Sequence, residues 1–201
     1  MTDGTLPPPY ADEAARWSRL AALLPDPVDV DVVQGCWDIG EQEDGLTVLV
    51  EKIHEQGLAV DESARAELAV MAEQWGVWDQ LGPDIARCGP AADAARLRVF
   101  PDDAGEPLPA GSVLTDLPAP GLFLVPWICC ARCGRVLARG HRLEEWGELS
   151  YLPLCYVVFT PGGTPAPTVH DHEERGAAWS ALAAVTAGCP VRRHQDVTHK
   201  C

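Results

Sequence analysis

Cysteine and histidine are the residues of this 201-residue chain with the most chemistry to offer, eight of the first and six of the second. The sharpest pattern among them is Cys129-Cys130-Ala131-Arg132-Cys133-Gly134. A Cys-x-x-Cys turn followed by glycine brings two thiolates to one point with backbone N–H groups aimed at the sulfurs. That is half of what tetrahedral zinc requires. With strands on either side the turn would be the knuckle of a zinc ribbon, but no second Cys-x-x-Cys follows. Cys189-x4-His194 offers a second pair of similar spacing, so the expected ligand set is Cys130, Cys133, Cys189 and His194. Cys155, His170, His199 and Cys201 are alternative donors. Cys129 should point away from its neighbour. Cys36 and Cys88 have no Cys or His at ligand spacing and read as small apolar core residues. A redox role for Cys130 and Cys133 would need a βαβ setting that the sequence lacks.

A catalytic zinc ion would need an open coordination position and a nearby base. His170-Asp171-His172-Glu173-Glu174 supplies histidine and glutamate together, and His172-x-Glu174 resembles part of the zinc deaminase signature. In that family the Cys-x-x-Cys follows the His-x-Glu, whereas here it precedes it and lacks the Pro-Cys. The simpler reading makes Asp171 the N-cap of a helix starting near Glu173, with the acids at the favourable end of its dipole. No phosphate-binding loop, dinucleotide fingerprint or nucleophile elbow is present.

These side chains need elements to hold them. Ala14, Trp17, Ala21 and Leu24 recur at helical intervals before Pro25; Leu46, Leu49, Val50 and Ile53 do so before Gly57. Ala64, Leu68, Met71 and Trp75 repeat the pattern between Asp61, a good N-cap, and Gly76. Val28 to Ile39 alternates like a strand, yet Val28, Val32, Cys36 and Ile39 also form a helical stripe, and its helical neighbours favour the second reading. Residues 101–120 are rich in proline and read as a linker. Beyond them Leu122 to Ile128, Arg135 to Arg139 and Leu154 to Phe159 are short and rich in β-branched or aromatic residues, as strands are. Glu173 to Ala187 reads as a closing helix. The expected fold is α+β: a small acidic helical bundle over residues 1–100, the linker 101–120, and a Cys/His-rich, β-rich zinc-knuckle region over 121–201 closed by one helix.

The formal charge of −15 sits mostly in the first half, where residues 1–100 carry 19 Asp and Glu against 7 Lys and Arg. Such a field repels phosphate backbones and anionic lipid, which argues against nucleic-acid or membrane partners and for a basic protein. Residues 1–25 show no apolar signal segment, and the longest apolar run, Gly121 to Cys130, is about half a membrane span. A cytoplasmic setting with reduced thiols is expected, which favours metal over disulfides.

The stretch from Gly40-Glu41-Gln42-Glu43-Asp44-Gly45-Leu46 through His54-Glu55-Gln56-Gly57 to Leu68-Ala69-Val70-Met71-Ala72-Glu73-Gln74-Trp75-Gly76 resembles the Maf-type immunity proteins of bacterial toxin systems over residues 28–82. The knuckle region loosely resembles uncharacterised actinobacterial zinc-ribbon-like proteins. The first resemblance implies a non-catalytic inhibitor that binds a basic toxin, with Glu41, Glu43, Asp44 and Glu51 as candidate contacts. It agrees with the acidic field, which would speed such an encounter. A zinc-dependent hydrolase or deaminase, and a scaffold or adaptor, are the competing expectations.

Overall fold

The computed structural model describes residues 8–89, 96–102, 106–114, 121–162, 166–187 and 189, with side chains from Asp12 onward. Five helices come first: α1 (Pro8–Ala21), α2 (Pro27–Ile39), α3 (Gln42–Glu55), α4 (Glu62–Gln74) and α5 (Trp78–Arg87). Their ends follow from local chemistry. Asp26 accepts from Val28 N at 2.9 Å with Pro27 in the first turn, and Asp61 accepts from Ala64 N at 2.8 Å. Gly40, at φ 86°, closes α2 as its left-handed cap. Val28–Ile39 is thus helical, as its neighbours imply. Its apolar stripe, however, faces mostly outward: Val28, Val32 and Ile39 are exposed and Cys36 is half-buried, while Val33 beside them is buried.

Six strands then form one antiparallel sheet among the described residues: β1 (Leu97–Val99), β2 (Leu108–Pro109), β3 (Leu122–Cys130), β4 (Val136–Arg142), β5 (Cys155–Phe159) and β6 (Thr168–Asp171). The order is β1-β3-β4-β5-β6, with β2 beside β1 on the same edge of β3. Leu97–Val99, expected in the helical domain, pairs with Ile128–Cys130. Part of the expected linker also joins the sheet: Leu108–Pro109 pairs with Phe123 and Leu124, and a 3-10 turn at Ala110–Ser112 covers it. The last helix, α6 (Ala177–Thr186), starts later than expected because Glu173–Gly176 forms a turn and Gly176 enters the left-handed region at φ 75°. Asp171 is the last residue of β6; its carboxylate accepts from Glu173 N at 3.0 Å, capping that turn and not the helix.

Strand alternation sends side chains to two cores. Tyr156 and Val158 of β5, Leu137 of β4 and Ile128 of β3 join the helical residues Trp17, Leu46, Leu68, Met71 and Ile85 in one cluster, with Ala181 and Val185 of α6. Cys155, Val157 and Phe159 face the other side with Ala138, Leu124 and Leu114. A bulge between Pro126 and Ile128 gives β3 an extra residue, Trp127. Its ring meets Trp78 of α5 edge-on at 5.5 Å and stacks on Tyr156 at 6.2 Å, which ties the helices to the sheet. Beside it lies a buried ion pair, Arg139 Nη1 to Glu73 Oε2 at 3.0 Å, in which Arg139 also meets Asp102. No helix of the described residues is long and apolar enough to cross a membrane.

Candidate metal centre

The Cys-x-x-Cys occupies the tip of the β3–β4 hairpin. Cys130 ends β3, its N–H donates to Arg135 O at 2.8 Å, and Gly134 N returns to Cys130 O at 2.8 Å. Closing the turn so tightly puts Gly134 at φ 72°, where a Cβ would be strained. Ala131 N donates to Arg96 O at 2.7 Å, so the residue preceding β1 pins the tip from the side. The third cysteine arrives from the far end of α6. Cys189 N donates to Thr186 O at 3.2 Å, which folds the chain back just past the helix.

The result is a three-cysteine cluster. Sulfurs of Cys130, Cys133 and Cys189 all lie within 4.8 Å of one another, with Cys130 Sγ 3.6 Å from Cys189 Sγ. Zinc bound tetrahedrally to thiolates at about 2.3 Å sets its sulfurs about 3.8 Å apart, so this spacing fits a metal ion, whereas a disulfide needs about 2.05 Å. Cys130 is fully buried and the other two are half-buried. Burial pushes the Cys130 thiol up, but backbone N–H groups of Cys133 and Arg132, with the Cys133 and Cys189 thiols, outweigh it and bring it down to about 7. Amide donors already turned toward one sulfur are what a bound thiolate uses.

Two arginines missed by the sequence reading hold the third ligand in place. Arg135 Nη1 donates to Ala184 O at 3.1 Å and to Ala187 O, and Arg96 Nη2 donates to Thr186 O at 3.3 Å. Both cap the carbonyl end of α6, where the helix dipole is negative. The Arg96 guanidinium also feels the Cys130 and Cys189 sulfurs, which raise its pKa, so its charge would offset that of thiolates there. No local pattern marks these residues; an arginine 34 positions before Cys130 gains its role only once β1 pairs with β3.

The remaining candidates separate cleanly. His194, His199 and Cys201 lie outside the described residues. Cys129 is not in the cluster; it pairs in register with Arg98, and burial raises its thiol. Cys155 belongs to the core on the opposite face of the sheet and its thiol is likewise raised by burial. Cys88 is a buried core residue whose thiol is pushed up to about 11, chiefly by burial, and Cys36 is half-buried. His172, Glu173 and Glu174 line a cavity of about 400 Å³ together with Glu73, Tyr156 and Arg175. They form no part of the cysteine cluster among the described residues. Glu41, Glu43, Asp44 and Glu51 are all exposed, the first three around the start of α3. No family model, curated protein or solved structure matches this chain.

Proposed function

We propose that this chain is a non-catalytic binding protein in which Cys130, Cys133 and Cys189 hold a structural zinc ion, with His194 as the fourth ligand, and whose acidic helical face binds a basic protein. The observation that carries the metal half is the convergence of three sulfurs from a hairpin tip and a helix end that are 59 residues apart in sequence. Zinc there fastens the hairpin of a zinc-knuckle region to the end of α6. Thiolate-rich, closed sites of this kind stabilise folds, while catalytic sites keep a position for water beside a base. The separation of the His172–Glu174 segment from the cysteines supports the structural reading over a hydrolase or deaminase.

The binding half rests on charge. Between Asp26 and Glu51 the sequence has eight acidic residues and no Lys, Arg or His, and Glu41, Glu43, Asp44 and Glu51 of that stretch are solvent-facing. Such a surface attracts a cationic partner and accelerates the encounter, as an immunity or antitoxin-like inhibitor requires. Two measurements test the proposal. Metal analysis of the purified chain should give one zinc per chain, lost in a Cys130→Ser, Cys133→Ser variant. Binding of a basic protein should weaken with salt and fall at least tenfold when the four acids are replaced by Asn and Gln. Absence of zinc sinks the first half; indifference to the four replacements sinks the second.

A further inference from the structure

Most of the stripe that identifies α2 as a helix is turned away from its own core; the exception is Cys36, which is half-buried against Gly45 of α3. Val28, Val32 and Ile39 are 66%, 48% and 75% exposed. Steps of four and seven residues place them with Gly35 in one narrow sector of the helix. On the other side Val33 is fully buried, and Val30 and Trp37 pack on the main core. The stripe runs about 16 Å along the axis, eleven residues at 1.5 Å each. Contiguous exposed apolar surface of this sort marks an interaction site more often than a lone exposed valine does.

Gly35 sharpens the reading. A Cβ on it would meet nothing within 4 Å, so no contact among the described residues requires glycine, and glycine within a helix is destabilising relative to alanine. What it provides is a notch midway along an apolar ridge, where another backbone can approach closely. The borders are acidic. Asp31 and Asp38 are exposed along one edge, and Asp29 lies on the other, bonded to Gln56 at 2.8 Å and 3.7 Å from Lys52. Glu41, Glu43 and Asp44 continue the field past the end of the stripe.

We propose that the Val28–Val32–Gly35–Ile39 face of α2 docks a basic amphipathic helix of a partner protein, apolar side chains on the stripe and Lys or Arg over Asp31, Asp38 and Glu41. This rests on the reading of the chain as a binder of basic protein, and adds where contact is made and by what form of partner. A second copy is a poor occupant, because two such faces would bring their carboxylates together, and the cation at the border, Lys52, is already paired with Asp29 and Glu55. Apolar anchors at i, i+4 and i+11 with a notch at i+7 lie on one face of the helix, as recognition by a second helix requires.

The test uses the full, metal-loaded chain and two labelled 18-residue peptides followed by anisotropy: an amphipathic helix of Leu and Lys, and a peptide of equal charge with Ser in place of Leu. The expected result is that the first binds at least tenfold more tightly. Val32→Asp and Ile39→Asp should each erase that preference while leaving thermal unfolding and zinc content unchanged. Gly35→Leu, which fills the notch, should weaken the first peptide and spare the second. Equal binding of the two peptides, or indifference of the preference to all three substitutions, overturns the docking surface but leaves an acidic binding face. Failure of both peptides to bind overturns the basic-partner reading as well. Self-association of the wild-type chain that Ile39→Asp abolishes assigns the stripe to a second copy instead.

Discussion

Replacing Arg139 by methionine isolates the buried ion pair that joins the sheet to α4. The Arg139 side chain is 2% exposed and that of Glu73 is 5% exposed, at 3.0 Å. Methionine keeps most of the aliphatic length packed between Trp78 and Trp127, whose rings lie 5.6 Å and 5.7 Å from the guanidinium, and removes the charge. Glu73 is then left with the Tyr156 hydroxyl at 3.4 Å as its donor. Stripping one partner from a buried pair costs about 3–5 kcal/mol, because the other charge stays desolvated. Asp102 adds little, since its side chain is 44% exposed and water can replace the guanidinium. For a chain of this size that loss lowers Tm by about 6–20 °C. Its pH dependence has a definite sign. Burial raises the Glu73 pKa above the ordinary 4.5, and the Arg139 charge is the main influence holding it down, so the variant carries a still higher value. The folded variant therefore binds a proton more tightly than the unfolded chain. The Glu73 contribution to its stability is fully present below pH 4.5 and is lost as pH rises through the raised pKa, so its deficit against wild type grows from acid to neutral. Adding Glu73→Gln removes the stranded charge and should recover more than half the loss at pH 7. Urea unfolding followed by tryptophan fluorescence from pH 4.5 to 8 measures all three proteins. A deficit below about 1 kcal/mol at pH 7, or one equal at both ends of the range, would refute the account.

Other perturbations probe the metal centre and the helical core. A chelator should lower the urea midpoint of wild type but not of Cys189→Ser; zinc at a free concentration of 1,000 Kd is worth about 4 kcal/mol to the folded state, and equal midpoints with and without chelator would dismiss the staple. Gly134→Ala forces a Cβ into the left-handed region at φ 72° and should cost about 1–2 kcal/mol together with a measurable loss of zinc affinity in a competition titration. Gly45→Ala puts a Cβ 2.7 Å from Trp17 Cζ2 and 2.8 Å from Cys36 Cβ, so about 1–3 kcal/mol of stability should be lost, seen as an earlier thermal midpoint.

What could be read from the sequence was what is local. Asp61, Gly57 and Gly76 mark helix ends by chemistry confined to one turn, and the structure uses all three that way, the two glycines in the left-handed region at φ 60° and 69°. Strands β3, β4 and β5 show β-branched or aromatic runs long enough to stand out, whereas β1 and β2 are three and two residues long and acquire strand geometry only from β3 beside them. Helix α5 hides behind Gly82 and Pro83, two residues that normally break helices; a Cβ at Gly82 would sit 2.9 Å from Trp78, so that glycine serves packing. Among site residues, Cys130, Cys133 and Cys189 could be grouped by spacing because ligand geometry constrains sequence. Arg96, Arg135 and Glu73 could not, since each looks like an ordinary surface charge until long-range contacts bury or aim it. The α2 stripe shows the reverse limit. Periodicity reveals that a helix has an apolar face but not which of its faces meets the core.

The cysteine cluster lies just past the end of a helix that has little to hold it by itself. Helix α6 has ten residues, too few to be stable alone, and its fully or nearly buried side chains are Ala177, Ala178, Ala181 and Val185. Alanine buries little more than a methyl group, worth under about 1 kcal/mol each, so the fully buried face of this helix contributes less than that of α4 with Leu68, Val70 and Met71, and its larger apolar side chains, Trp179 and Leu182, are only partly buried. Its N-terminal end begins on Gly176 with no side-chain cap, and its C-terminal carbonyls depend on Arg96 and Arg135 from the sheet side. A tie placed three residues beyond the helix, on the hairpin tip that carries Arg135, acts where fraying would start. Metal bound at Cys130, Cys133 and Cys189 would therefore hold the C-terminal end of α6 against the sheet. Under the proposed reading such a metal would shape a surface, and recognition would fall to the helices whose acids and apolar stripe are exposed.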